Sequence, residues 1–245
     1  MSQKLQKILA NQGLGSRRTM ERWISDGRIR VNGEVAALGD RVEEDDTIQV
    51  DGRTLSQKKT RHRHLLYNKP SGEICSRDDP EGRASVYRKL PKLKNQRWIS
   101  IGRLDFNTSG LLLFTTDGAL ANKLMHPSTG IDREYAVRVL GNVSDRALQN
   151  MREGVMLEDG LAKFTDIQKS LDSEGANQWY YVVLMEGKNR EVRRLWESQG
   201  LSVSRLKRVR FGSFFVPSSV KVGRFVELEK REIDDLYELS KAEES

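Results

Sequence analysis

Apolar positions near the start of the chain recur with a helical period. Leu5, Ile8 and Leu9 fall at i, i+3 and i+4, with Ser2 placed to cap the helix and Gly13 to stop it. A second helix is expected at once, capped by Ser16, with Met20, Trp23 and Ile24 on its apolar face and Gly27 at its end. The period then changes to two. Arg28-Ile29-Arg30-Val31 alternates charged and apolar residues, Asn32-Gly33 is a strong tight-turn signal, and Val35 begins the return strand. These elements predict two short helices on a small sheet. A polar, lysine-bearing stretch from Ser56 to Thr60 follows a turn at Asp51-Gly52, and places a domain boundary near residue 60.

The remainder, taken as a domain over 61–240 with a tail at 241–245, alternates buried strands with short helices. Trp98 to Ile101 and Leu111 to Phe114 read as buried strands, the second closed by a turn at Asp117-Gly118. Arg133 to Val139 alternates and puts Tyr135, Val137 and Val139 on one strand face. Trp179 to Met185 reads as a strand, Glu186-Gly187-Lys188 as a turn, and Asn189 to Gln199 as a helix ending at Gly200, with Val192, Leu195 and Trp196 as its apolar face. The end of the chain, 227–244, carries three basic and eight acidic residues and predicts a solvated helix that buries Ile233, Leu236 and Tyr237.

Composition narrows the function classes. Among 245 residues, 37% are hydrophobic and 31% charged, which excludes a mainly disordered or fibrous chain. No apolar run reaches the about 18 residues of a membrane span, and Met1 to Leu5 lacks the apolar core of a signal peptide, so a cytoplasmic protein is expected. One cysteine, Cys75, forms no intrachain disulfide; with only His62, His64 and His126 as further soft ligands, neither a zinc site nor another metal is expected. Lys and Arg number 42 against 35 acidic residues, a net charge of +7 that points to a polyanion, nucleic acid first. The charge is concentrated: 61–97 and 188–210 each carry a net +6.

Three groups of residues suggest chemistry. Arg17, Arg18 and Arg22 on the second helix, with Arg28 and Arg30 on one side of the following strand, form a cluster suited to phosphates, although exposed arginines are more often simply solvated. Asp105 sits in the loop Gly102 to Gly110 between two buried strands, mounted as a nucleophile or general base would be; capping its own turn is the ordinary alternative. No second carboxylate lies nearby in sequence to make a glycosidase-like pair or a metal cluster, which argues against a hydrolase or nuclease. Tyr135 is core filler by default, or else a surface on which a base stacks. Arg190, Arg193 and Arg194 share a helical face whose mutual repulsion a phosphate or a carboxylate would offset.

The run Gly15-Ser16-Arg17-Arg18 with Gly27 to Gly33 resembles the small RNA-binding module first seen in a protein of the small ribosomal subunit. Tyr67-Asn68-Lys69-Pro70-x-Gly72, Gly102-Arg103-Leu104-Asp105-x-Asn107-Thr108-x-Gly110-Leu111-Leu112, Arg133-Glu134-Tyr135 and Glu186-Gly187-Lys188-Asn189-Arg190-Glu191-Val192-Arg193-Arg194-Leu195 occur in that order. Together they resemble, over nearly the whole chain, the family of rRNA pseudouridine synthases whose type A members act on small-subunit rRNA and whose types B, E and F act on large-subunit rRNA. The resemblance implies an α+β fold with a mixed, mainly antiparallel sheet flanked by helices, and isomerisation of a uridine in 23S (large-subunit) rRNA to pseudouridine. It assigns Asp105 as the catalytic aspartate, Tyr135 as the active-site tyrosine and Arg193 as the basic partner of the aspartate, with no cofactor or metal. RNA contacts are expected from Arg17, Arg18, Arg22, Arg28, Arg30, Lys69, Arg103, Arg190 and Arg194, in a monomer acting on rRNA, free or in pre-ribosomal particles. Two alternatives remain at this point: a non-catalytic ribosome-assembly protein on the same two domains, and a synthase acting on small-subunit rRNA. Type B members often continue into a long basic tail, whereas this sequence ends after an acidic helix, so the RNA contact of such a tail is expected to be missing.

Overall fold

The computed structural model describes residues 2–55, 61–171 and 177–241, so the expected linker Ser56 to Thr60 and most of the expected tail lie outside the described residues. Two compact units emerge. The first comprises Met1–Arg63 together with Pro91–Ile99 and Thr116–Gly118, two pieces that the sequence reading assigned to the larger domain. Its elements are β1 (Gln3–Lys4), α1 (Leu5–Asn11), α2 (Arg17–Ser25), β2 (Ile29–Val31), β3 (Glu34–Val35), β4 (Arg41–Val42), β5 (Ile48–Val50) and β6 (Arg53–Thr54). Leu5, Leu9, Met20, Ile24 and Ile29, from the helical and alternating positions seen in the sequence, form its core together with Val42 and Ile48. Ser16 caps α2 as expected, its Oγ accepting from the Thr19 N–H at 3.0 Å. Asn32 (φ 51°) and Gly33 (φ 91°) turn β2 into β3. Ser2 does not cap α1. Gln3–Lys4 pair with Arg41–Val42 as strands, and the Ser2 hydroxyl accepts from Arg41 Nε at 2.9 Å, so Lys4 becomes the cap position without a side-chain bond.

The second unit, His64–Leu90, Ser100–Thr115 and Ala119–Ser245, is built on a nine-stranded sheet. Its strands are β7 (His64–Lys69), β8 (Ile99–Ile101, entering from the first unit), β9 (Thr108–Thr115), β10 (Arg133–Leu140), β13 (Asp166–Lys169), β14 (Asn177–Leu184), β15 (Ser202–Phe211), β16 (Phe214–Phe215) and β17 (Phe225–Glu227). A separate hairpin, β11 (Val155–Leu157) and β12 (Gly160–Ala162), and the helices α3 (Gly118–Met125), α4 (Asp145–Glu153), α5 (Glu191–Glu197) and α6 (Lys230–Leu239) complete it. The order is β13-β14-β10-β15-β9-β7-β17, with β8 beside β9 and β16 beside β15. β15 and β9 run parallel, whereas β10 pairs antiparallel with β14 and β15, and β7 with β9 and β17, so the expected mixed, mainly antiparallel α+β fold is observed. The inner face of α5 is buried as expected, Trp196 packing its ring against Tyr180 at 5.1 Å and Phe164 at 6.2 Å. Among the described residues no helix is long and apolar enough to cross a membrane.

Several expected boundaries move. Asp117-Gly118 is no hairpin turn: α3 starts at Gly118, and the short polar residue before it marks a helix start. α5 begins at Glu191 rather than Asn189, because Arg190 adopts φ 50° and cannot join the first turn. The acidic C-terminal segment opens as an edge strand reaching Glu227 before α6 begins at Lys230, held by a capping box of Glu229 and Glu232. Leu236 is fully buried while Ile233 and Tyr237 are half-buried, Tyr237 meeting His64 edge-on at 5.7 Å.

Gly110 shows why one motif glycine is obligatory. It lies inside β9 at φ 101°, and a Cβ there would stand 2.1 Å from the Arg208 carbonyl oxygen of the neighbouring parallel strand. Gly110→Ala is therefore expected to cost about 3 kcal/mol or more, seen in thermal unfolding as a Tm lower by roughly 6–12 °C; an unchanged Tm would contradict this close approach.

Candidate active site

Two strand ends and one helix converge on a cleft of about 660 Å³ within the second unit. β8 runs out at Ile101 and the chain crosses to β9 through Gly102–Asn107, carrying Asp105 with its side chain half-buried at the cleft. The loop is pinned from beneath. The Lys69 ammonium donates to the carbonyls of Asp105 (3.1 Å), Thr108 (2.7 Å) and Pro70 (3.0 Å), and the Cys75 thiol donates to Leu104 O and accepts from Leu104 N. Burial lowers the Lys69 pKa and raises that of the Cys75 thiol. The Asp105 carboxylate itself has no hydrogen bond or ion pair from any described residue; it is mounted by its backbone and presented to the cleft. Turn capping, the ordinary use of such an aspartate, is done here by its carbonyl, which accepts from Thr108 N at 3.0 Å.

Tyr135 reaches the same cleft from β10. Alternation turns Arg133, Tyr135 and Val137 inward, and the register sets Tyr135 between Val182 of β14 and Arg208 of β15, 9% exposed. Arg133 and Arg208, both buried, flank Phe211, with guanidinium carbons 5.4 and 5.5 Å from its ring. Arg208 donates to Leu111 O at 2.8 Å, while Arg133 donates to Ile131 O at 2.9 Å and to the carbonyls of Met185 and Glu186, fastening the turn that leads into α5. Desolvation lowers the Arg133 pKa below its usual value. Neither arginine is among the site residues expected from sequence, Arg133 entering only as a motif member, although each occupies an inward phase of a strand, where apolar residues are the rule.

The other expected residues separate. Arg103 and Arg190 are exposed on the cleft lining, Arg190 also meeting Glu197 at 3.1 Å. Arg193 is buried behind the wall, donating to Asn107 O (3.0 Å) and Val203 O (2.9 Å). Burial lowers its pKa, the positive charge of Arg190 adds to this, and the Asp105 charge opposes it. Among the described residues it makes no direct ion pair with Asp105, contrary to expectation; two of its N–H groups go to carbonyls, one of them at Asn107 in the Asp105 loop. Arg194 makes a bidentate pair with Asp159 at 2.7 and 2.8 Å, so a carboxylate of the chain supplies the anion its face called for. Lys69, expected to touch RNA, is completely buried under the Asp105 loop and holds that loop instead. A second carboxylate, distant in sequence, also lines the cleft: Glu191 is 4% exposed, accepts from Lys188 N at 3.0 Å, and burial raises its pKa.

In the first unit Arg17, Arg18, Arg22 and Arg30 are exposed. Arg30 donates to Gly33 O at 2.8 Å. Arg28 lies over the Trp23 ring at 4.0 Å and forms a bidentate pair with Asp51, so it is the member of the cluster least available to a phosphate.

A mixed sheet that mounts a free carboxylate and an inward tyrosine in one arginine-walled cleft, in a chain that also carries a small helix-and-sheet module with exposed arginines on one helix, defines a nucleic-acid-modifying enzyme. Comparison with known proteins gives the family. The RNA pseudouridylate synthase family model matches residues 63–198, and the S4 domain model matches residues 3–48. The chain belongs to the RNA pseudouridylate synthase family. It is 58% identical over 241 residues to the ribosomal large subunit pseudouridine synthase B of Pseudomonas aeruginosa, covering 97% of this chain and 62% of that protein. Its identity to the proteins of the same name from Vibrio cholerae and Escherichia coli K12 is 54%, over 98% of this chain and 75% and 84% of theirs. The fold is shared with a crystal structure of a pseudouridylate synthase, at TM-score 0.66 and 24% identity over 95% of this chain and 99% of that one.

Proposed function

We propose that this chain isomerises a specific uridine of 23S (large-subunit) rRNA to pseudouridine, acting as a cytoplasmic monomer on rRNA that is free or in pre-ribosomal particles. The observation that carries the reading is the meeting of Asp105 and Tyr135 in one cleft, with the Asp105 carboxylate unengaged by any described residue. The names of the relatives support the choice of large-subunit over small-subunit rRNA.

The chemistry needs no net oxidation or hydrolysis. The bond from ribose carbon 1′ to uracil nitrogen 1 breaks, the ring turns, a bond forms from carbon 1′ to carbon 5, and the proton on carbon 5 leaves while nitrogen 1 gains one. A stacked uridine is out of reach, so it is flipped into the cleft at a cost of a few kcal/mol, offset by stacking and phosphate contacts. Asp105 drives the cleavage of the glycosidic bond, either as a nucleophile or by deprotonating the sugar. Tyr135 meets the flipped ring and its hydroxyl takes the carbon 5 proton. The walls formed by Arg133, Arg208 and Phe211 keep the loose uracil from leaving. Arg193 keeps the Asp105 loop in place through its hydrogen bond to the Asn107 carbonyl.

Incubating transcripts of large-subunit rRNA and of small-subunit rRNA with the purified chain, then mapping carbodiimide-dependent primer-extension stops, tests the proposal. A new stop in the large-subunit transcript alone is expected. A stop confined to small-subunit rRNA, or binding with no stop in either, would overturn it in favour of the corresponding alternative.

The first unit supplies affinity in this account. With Arg28 held by Asp51, the exposed helix arginines are the expected phosphate contacts. Replacing Arg17, Arg18 and Arg22 by Gln should flatten the slope of log affinity against log salt by about 2–2.7 units, using roughly 0.7–0.9 per phosphate, with little change in saturated turnover. An unchanged slope would make the cluster a solvated face.

A further inference from the structure

The side of the sheet turned away from the cleft is covered by α6 at β7, where Tyr237 meets His64, but over β10, β14 and β15 it carries three cations with no ion-pair partner among the described residues. Tyr135, Leu206 and Arg208 point toward the cleft, so Ala136, Arg138, Arg205 and Lys207, which alternate with them on β10 and β15, point the other way. Arg138 and Arg205 are direct partners across the ladder, and Lys207 stands opposite Ala136. Like charges directly opposite one another destabilise a sheet, and a chain under no other constraint would place a carboxylate in one of the positions. Among the described residues none of the three has an ion pair: Arg138 makes only a hydrogen bond to Ser204 Oγ at 2.9 Å, and the nearest carboxylates along the strand, Glu134 and Asp132, are taken by Arg210. Beside the cations stand two aromatic side chains on β14, Trp179 opposite Arg138 and Tyr181 opposite Ala136, with Tyr181 41% exposed.

We infer that this face is a second RNA-binding surface, taking a single-stranded segment of the same rRNA beyond the uridine in the cleft. The cations would contact its phosphates, and a base would stack on Tyr181. An acidic protein would satisfy the charge but gives no reason for flat aromatic rings interleaved with it, whereas stacking rings beside a basic track are what an RNA strand needs. Bound phosphates would also remove the Arg138–Arg205 repulsion.

The inference rests on the RNA substrate proposed above, and its test is separable from that proposal. Salt-dependent binding of an in vitro large-subunit rRNA transcript would be compared for the unaltered chain, for Arg138→Gln/Arg205→Gln/Lys207→Gln, and for the charge-keeping Arg138→Lys/Arg205→Lys. The Gln variant should lose about 2 units of slope, roughly 0.7 for each of three phosphates, with saturated turnover unchanged, and the Lys variant should keep the slope. Tyr181→Ala should weaken binding about fivefold or more. An unchanged slope in the Gln variant, an equal loss in the Lys variant, or undiminished affinity in Tyr181→Ala would each overturn the inference. Absence of turnover by the unaltered chain would instead overturn the catalytic reading and leave the binding result standing.

Discussion

Asp105→Asn should abolish turnover while leaving RNA affinity within a few-fold and the Tm unchanged. The three expectations have separate causes. The amide keeps the shape of the side chain but is neither a nucleophile nor a base, so residual activity should fall below about one per cent, once deamidation is excluded. Affinity is expected to come from arginines elsewhere. Stability is expected to be indifferent because no described residue bonds to the carboxylate; the loop is held through the backbone by Lys69, Cys75 and Arg193. Tritium release from carbon-5-labelled RNA, beside a binding titration and a melting curve, reads all three. Activity above that level would remove Asp105 from the reaction, whereas a drop in Tm would reveal a structural role in its place.

The second large effect is expected at Tyr135. Phe keeps the ring and its packing between Val182 and Arg208, and removes only the hydroxyl. If that hydroxyl accepts the carbon 5 proton, Tyr135→Phe should be nearly as inactive as Tyr135→Leu, a loss of about a hundredfold or more in single-turnover isomerisation. If the ring merely stacks on uracil, Phe should retain most activity and only Leu should lose roughly 1–3 kcal/mol. A Phe variant within about threefold of the unaltered chain would return Tyr135 to a stacking role. The proton would then pass to another group, and Glu191, a buried carboxylate on the same cleft whose pKa is raised by desolvation, is the first to test.

The sequence showed the site's residue types better than their contacts. Asp105 was legible because a carboxylate in a short loop between two apolar runs is unusual, and Tyr135 because alternation fixes which side of a strand it faces. The dual role of periodicity also explains what was missed. Arg133 and Arg208 obey the same inward phase as Tyr135, but a strand pattern is read from its apolar members, and an arginine in that row passes as surface. Lys69 deceived in the opposite sense. A lysine in a basic stretch reads as a phosphate contact, yet three carbonyls brought together by β7 and the Asp105 loop gave it a buried place. Glu191 escaped because proximity in the cleft is created by the sheet order, in which β10, β15 and β9 bring together residues about 90 positions apart. The arginine face proposed for 190–194 dissolved for a local reason: Arg190 takes a left-handed conformation and leaves the helix, Arg193 turns inward, and Arg194 finds Asp159. In the first unit, by contrast, caps and turns act within a few residues, and Ser16 and Asn32-Gly33 did what their chemistry predicts. Ser2 failed there because a two-residue ladder with Arg41–Val42 competed for it.

The central claim is that this chain converts uridine to pseudouridine, and the most direct measurement is of the product. Large-subunit rRNA transcribed without modification would be incubated with the purified chain, digested to nucleosides, and resolved by chromatography with mass detection. The account predicts loss of one uridine per transcript and gain of one pseudouridine of identical mass, dependent on Asp105. An unchanged uridine count with full RNA binding by the unaltered chain would contradict it and leave a protein that holds RNA without altering it.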